Sequence, residues 1–349
     1  MRQQFETVNE FTFAVTRLGG SAPGPHTVIT AGIHGGEHVG ILALRELAKT
    51  LKGVNVTGDI TCIHIANPDA FRSRIPEINL ADGKNLNRYF PGNPGGTYTE
   101  VLAYTLYTHY LTKGDFYFDL HGGDIHEYLT PYVYAPAIAD ERKAALQLEL
   151  AKLLDVNFIV HSSATTGAYN AVAGIAGIPS LLLERGGRGI AFKSEVKAYR
   201  DDLLRLLEHI GHIDIHHVRC DSEVDGLWPE PCMHADRPDS PDAFPRSAVI
   251  QPPIELSRVA YPVAEDDTFW HSEVSLNRFV KRGERLGYTT DVFGNRTGEY
   301  LAEFDGYVVY YNSSLSAPKH TVLVAYGEPK TTDGAASHPA PLTESLSHS

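Results

Sequence analysis

Three apolar strand signals in this chain each run into a residue that can bind a metal or move a proton, and glycine follows each time. Thr27-Val-Ile-Thr-Ala31 leads through Gly32-Ile33 to His34-Gly35-Gly36-Glu37. Asp115-Phe-Tyr-Phe-Asp-Leu120 delivers His121 into Gly122-Gly123, and Ile178-Pro-Ser-Leu-Leu-Leu183 ends in Glu184 before Arg185-Gly186-Gly187. Loops at strand ends, carried by a rigid sheet, are where enzymes commonly mount chemistry. The repetition is harder to explain by chance than any single motif.

The first motif reads two ways. His34-x-x-Glu37 offers two metal-type ligands in a loop, while the same letters through His38 spell His-x-x-Glu-His, a helical metalloprotease signature in which the glutamate is the base. His34 and His38 share a face only in a helix. Gly35 and Gly36 oppose that, at ~1 kcal/mol each in a helix interior, and Thr27 to Ala31 is β-branched in the manner of strands. A helix is predicted afterwards, over Val39 to Leu51, with apolar residues at 41, 42, 44, 47, 48 and 51. In the loop reading a third ligand and a separate base must lie downstream; in the helical reading only a distant third ligand is needed. His121 and Glu184 stand at the kind of position the loop reading requires.

These residues resemble the zinc carboxypeptidase clan and, within it, the succinylglutamate desuccinylase/aspartoacylase family. The likeness rests on His34-x-x-Glu37, on Asn67-Pro68 followed by Asp82-Gly-Lys-Asn-Leu-Asn-Arg88-Tyr-Phe-Pro-Gly92, on Asp119-Leu-His121 and on Gly177-Ile-Pro with Glu184. They occur in family order across most of residues 25 to 190. The resemblance implies one zinc ion per chain held by His34, Glu37 and His121, with Glu184 handling protons. It also implies that Asn87 and Arg88 hold the substrate's carboxylate, that Arg74 assists at the carbonyl oxygen, and that Tyr169, in Thr165-Thr-Gly-Ala-Tyr-Asn170, reaches the bound substrate. Asn85 departs from the acidic residue usual before Leu-Asn-Arg, which leaves open how Arg88 is braced.

Each residue also has a plainer role. Glu184 can pair with Arg185 or Arg188, Arg74 can be a surface arginine, and Tyr169 can be core. The chain has 17 histidines, so most are ordinary, and His38, His64, His109 and His126 receive no role; nor does Glu127. Asp119 stands two residues before His121, where it either orients that ligand or meets solvent.

Zinc that is catalytic needs three protein ligands and an open fourth position. Two histidines and a carboxylate meet that description, with water activated at the metal and Glu184 passing its proton to a leaving amine. The implied activity is hydrolysis of the amide bond of a small N-acyl amino acid. An exopeptidase using the same chemistry, and a non-catalytic binding protein on the same fold, are the alternatives.

Composition fits a folded enzyme, with 42% apolar residues. No apolar run approaches the ~20 residues of a membrane span, and the N-terminus lacks a signal-peptide core. Cys62, Cys220 and Cys232 have neither metal nor disulfide spacing, so a reducing cytoplasm is the expected location. A formal charge of −13 argues against a nucleic-acid partner. The sequence is compatible with a homo-oligomer.

Strand signals near 27–33, 58–66, 115–120, 157–160 and 178–183 alternate with helical patterns at about 39–52, 98–112, 138–154 and 192–211, which argues for an α/β domain covered on both faces. The family likeness makes this a mixed sheet flanked by helices, zinc carboxypeptidase-like, over residues 1–213. Residues 214–253 read as a linker or irregular excursion, 254–327 as a smaller C-terminal β domain, and 328–349 as a disordered tail. Phe269-Trp270-His271 is expected to pack in the small domain's own core.

Overall fold

The computed structural model describes residues 1–20, 22–162, 164–218 and 252–330. Among them, thirteen strands form one mixed sheet. Its centre is parallel: His26–Ala31 lies between Asp59–Ile63 and Phe116–His121, and Phe116–His121 pairs in turn with Ser180–Glu184. In this register Ala31 lies beside Leu120, and His121 beside Glu184. Parallel neighbours end on the same side, so the three strand ends singled out in the sequence are adjacent in space.

Helices cover both faces of this sheet. On one side His38–Thr50 buries Val39, Leu42, Ala43, Leu44, Leu47 and Ala48, a helical stripe that packs with Leu150 of Glu141–Lys152 and Leu203 and Leu207 of Lys193–Ile210. Gly40 permits the close approach, since a Cβ there would lie 2.9 Å from Leu120 Cβ. On the other side Tyr98–His109 and Ala168–Gly174 pack Leu102, Leu106, Ala168 and Val172 against Val28, Tyr117 and Leu182. The first of these helices starts at Thr97, whose backbone N–H is met by the Glu100 carboxylate at 2.9 Å, a capping box.

The fold class is therefore the one the sequence implied, with additions. An N-terminal hairpin, Arg2–Val8 and Phe11–Gly19, turns at Asn9 (φ 54°) and extends the sheet beyond Asp59–Ile63. Tyr132–Pro136 inserts antiparallel to Ser180–Glu184, which makes the sheet mixed. Ile254–Ala260 pairs parallel with Phe158–Ser162 and antiparallel with Val324–Pro329, so C-terminal strands continue the central sheet. A separate antiparallel sheet holds Thr268–Ser272, Arg285–Thr290, Arg296–Leu301 and Ser316–Ala317, with Trp270 buried in a small cluster beside Ala264 and Leu323. Of the expected linker only its ends are described, and of the expected tail only 328–330, where the strand runs on to Pro329 opposite Leu256. The rest of both lies outside the described residues.

Candidate active site

The loop after His26–Ala31 keeps His34 off any helix. His38–Thr50 begins only after Glu37, which is its N-cap. The helical His-x-x-Glu-His geometry is thus not formed, and His38 Nδ1 donates to Gly189 O at 2.9 Å. Gly35 lets the loop press onto the short helix Pro68–Ser73: a Cβ there would fall 2.4 Å from the Ala70 carbonyl carbon.

His34, Glu37 and His121 are buried together, with one ligand-type atom from each within 4.8 Å of the others. The carboxylate of Glu37 joins the two rings, Oε1 at 2.6 Å from His34 Nδ1 and Oε2 at 2.9 Å from His121 Nδ1. The Gly122 N–H also donates to Oε2, at 3.2 Å. Each ring has an oxygen behind it: Asn85 Oδ1 lies 3.0 Å from His34 Nε2, and Asp119 Oδ2 lies 3.3 Å from His121 Nε2. At His34 the acceptor hydrogen-bonded to Nε2 favours the tautomer that keeps its proton there and leaves the Nδ1 lone pair free for a metal, whereas Asp119 meets His121 Nε2 as a charge contact without hydrogen-bond geometry. Ligands held ~2 Å from a tetrahedral ion lie about 3.3 Å apart, so this donor set suits an ion with three protein ligands.

Asp119 is held in its turn. It is fully buried and accepts from Thr30 Oγ1 at 2.7 Å, and Thr30 Oγ1 also meets the Tyr117 hydroxyl at 2.7 Å. Tyr199 Oη lies 3.1 Å from His121 O and 2.6 Å from Leu183 O, bridging the two strand ends.

Glu184 is the register partner of His121. Its carboxylate makes no hydrogen bond or ion pair among the described residues. The plainer role for it fails at Arg185, because successive strand residues point to opposite faces. Arg185 reaches Asp202 at 3.0 Å and Glu195 at 3.4 Å, while Arg188 lies 4.4 Å over the Tyr128 ring. Burial pushes the Glu184 carboxyl up to about 8; Glu37 and Asp119 add to the rise, and His121 opposes it. Burial also raises Glu37, but the His34 and His121 imidazoles outweigh it and hold that carboxyl at about 2.

The other residues named from the sequence lie on separate elements. Asn87, 5% exposed, lies in the 3-10 turn Leu86–Arg88 and accepts from the Ala168 N–H at 3.0 Å. Tyr169 is buried and meets Ser162 Oγ at 3.1 Å. Arg74, left-handed at φ 59°, ends the helix Pro68–Ser73, and both it and Arg88 are exposed without an ion pair among the described residues. Arg88 Nη1 donates to Asn87 O at 3.4 Å, and its backbone N–H donates to Asn85 O at 3.0 Å.

Sequence reasoning passed over an acidic turn just beyond His121. Asp124 Oδ1 accepts from the His126 N–H at 2.6 Å, and Glu127 Oε2 from the Asp124 N–H at 3.4 Å. Burial raises both carboxyls, and the charges of Glu77 and Glu37 add to the shift. Spacing was the available signal, with acids three and six residues after a ligand.

An α/β protein with two histidines and a glutamate gathered at adjacent strand ends is defined by these features. Residues 23–210 match the succinylglutamate desuccinylase/aspartoacylase catalytic domain, and the chain belongs to that family. The N-alpha-acetyl-L-2,4-diaminobutyric acid deacetylase of Halomonas elongata is 31% identical over 137 residues, 39% of this chain. That alignment spans 40% of the relative's length. Among solved structures, a succinylglutamate desuccinylase/aspartoacylase from Rhodobacter sphaeroides superposes with a TM-score of 0.73 at 23% identity, covering 92% of this chain and 90% of the other. The product-bound ectoine utilization protein EutE (DoeB) from Ruegeria pomeroyi gives 0.72 at 22% identity, covering 93% of each chain. Both are similar in fold. Among the described residues no helix is long and apolar enough to cross a membrane.

Proposed function

We propose that this chain is a zinc-dependent deacylase that hydrolyses the amide bond of a small N-acyl amino acid. The observation that carries the reading is the buried convergence of His34, Glu37 and His121 within 4.8 Å, beside a Glu184 carboxylate that no described residue occupies. Zinc held by the three ligands supplies a Lewis acid and lowers the pKa of water at the site.

This chain's residues do the rest. Glu184 takes the proton of the attacking water and returns it to the leaving amine; a carboxyl raised toward neutrality is matched to both duties. Asn87 and Arg88 hold the substrate's carboxylate, the guanidinium fork suiting a planar anion. Arg74 assists at the oxygen on which negative charge builds, and Tyr169 donates to the intermediate. The name of the Halomonas relative makes N-acetyl-2,4-diaminobutyrate the first substrate to test. The C-terminal strands continue the same sheet and Tyr261 reaches Tyr134, which favours a small substrate over a peptide.

Metal analysis with a panel of N-acyl amino acids and short peptides tests the reading. Glu184→Gln is expected to keep zinc and lose about 10²–10⁴ in turnover, whereas Glu37→Gln is expected to lose zinc. Full zinc affinity in Glu37→Gln would remove Glu37 from the ligand set and overturn the assignment. Turnover of peptides but of no N-acyl amino acid would favour the exopeptidase.

A further inference from the structure

Tyr134 and Tyr261 meet hydroxyl to hydroxyl at 2.8 Å, 127 residues apart in the chain. Tyr134 lies in Tyr132–Pro136, whose register sets Tyr132 opposite Glu184 and Tyr134 opposite Leu182. Directly paired residues share a face, and side chains alternate along a strand. Tyr132 and Tyr134 therefore stand on the face that carries Glu184. The Tyr134 ring is 5.2 Å from Tyr132 and 6.0 Å from Tyr169. Tyr261 follows directly on Ile254–Ala260, so the C-terminal segment brings a phenol to this face.

No step of the proposed reaction uses these two hydroxyls. They continue a line of neighbours that begins at the carboxylate clamp: Asn87 Oδ1 accepts from Ala168, the next residue is Tyr169, and its ring adjoins Tyr134. In an N-acyl amino acid the side chain and the carboxylate branch from one carbon, so a surface adjoining the clamp receives the side chain. A hydrogen bond between two phenols uses one of their two protons and leaves acceptor capacity on both oxygens. The ring faces add attraction for a cation. Phenols, with an ordinary pKa of about 10, are protonated at neutral pH. Tyr261 remains 40% exposed, open to a group arriving from solvent.

We infer that the Tyr134–Tyr261 pair reads the side chain of the amino acid released, and that Tyr261 is a specificity-determining residue favouring a side chain that ends in a hydrogen-bonding group. The inference rests on the deacylase reading above.

Zinc-loaded full-length protein and its Tyr261→Phe variant are compared on N-acetyl-2,4-diaminobutyrate and N-acetyl-2-aminobutyrate, which differ by one amino group. The ratio of their kcat/KM values is expected to fall about tenfold in the variant, chiefly through KM for the diamino substrate, the effect of one hydrogen bond. Tyr134→Phe keeps the ring, removes the partner hydroxyl and moves the ratio in the same direction. An unchanged ratio in both variants, or equal losses on both substrates, overturns the inference. Calorimetry with free 2,4-diaminobutyrate and 2-aminobutyrate separates this result from the fate of the deacylase reading. If neither substrate is cleaved, the deacylase reading fails; if the two amino acids bind wild type and Tyr261→Phe with the same selectivity, the tyrosine inference fails.

Discussion

Asn85 Oδ1 stands 3.0 Å from His34 Nε2 and accepts from the Asn87 N–H at 2.9 Å, so one oxygen serves both a metal-type ligand and the turn that carries Asn87. The amide also explains why this position tolerates a departure from an acid. Asn85 Nδ2 donates to Glu77 Oε2 at 3.5 Å, and a carboxylate there would face Glu77 as a like charge.

Removing that oxygen should loosen His34 without touching its Nδ1. Asn85→Ala is expected to weaken zinc binding by about 10–100-fold, the usual effect of losing an acceptor behind a ligand. Competition with a chromophoric chelator measures it. Wild-type affinity would mean that packing alone orients His34.

Gly35 is fixed by contact and not by backbone torsion. Any side chain there meets the Ala70 carbonyl carbon at 2.4 Å and Phe71 N at 2.5 Å, both backbone atoms that cannot swing aside. Gly35→Ala should cost about 1–3 kcal/mol in urea unfolding and displace His34 from Glu37. Unaltered stability and zinc content would show that the loop can retreat from the helix Pro68–Ser73.

Sequence pattern reached the parallel core because three of its four strands are short apolar runs with glycine close behind, and the helix His38–Thr50 because its apolar stripe has helical period. It singled out His34, Glu37 and His121 at strand ends, the family likeness implied that they form a ligand set, and their gathering follows once the two strands that carry them are neighbours. It did not reach Tyr132–Pro136, an aromatic run whose place between Ser180–Glu184 and Phe158–Ser162 depends on pairings distant in sequence. For the same reason Tyr261 was invisible: nothing local to it signals a partner 127 residues away. Asn85 showed as a departure, but its service to His34 required coordinates.

Arg185 tests how completely Glu184 is left free. Arg185 is 4% exposed and is held by Asp202, itself 1% exposed, which also accepts from the Asp155 N–H at 2.7 Å. Asp202→Ala strands a buried cation and should cost about 3–5 kcal/mol. Chemical denaturation at pH 7 reads this directly. A loss below about 1 kcal/mol, the range of surface pairs, would show that Glu195 and the Asp155 carbonyl suffice for Arg185.

Glu255 joins the C-terminal strands to the rest of the sheet and gives stability a defined acid limb. Its carboxylate pairs with Lys152 at 2.9 Å, His161 at 3.0 Å and Lys330 at 3.3 Å. Burial raises its carboxyl, but Lys152, His161 and Lys330 together outweigh this and hold it at about 2, against an ordinary 4.5. A carboxyl lowered on folding contributes stability that is complete above its unfolded value and is lost as pH falls through its folded one. Wild type should therefore exceed Glu255→Gln by about 2 kcal/mol at pH 7, after allowance for its exposed lysine partners. Urea titrations at pH 7, 5, 4 and 3 should show the gap steady down to about pH 5 and reduced by more than half at about pH 3. A gap of the same size at pH 7 and pH 3 would assign the loss to packing at this seam and not to the charge on Glu255.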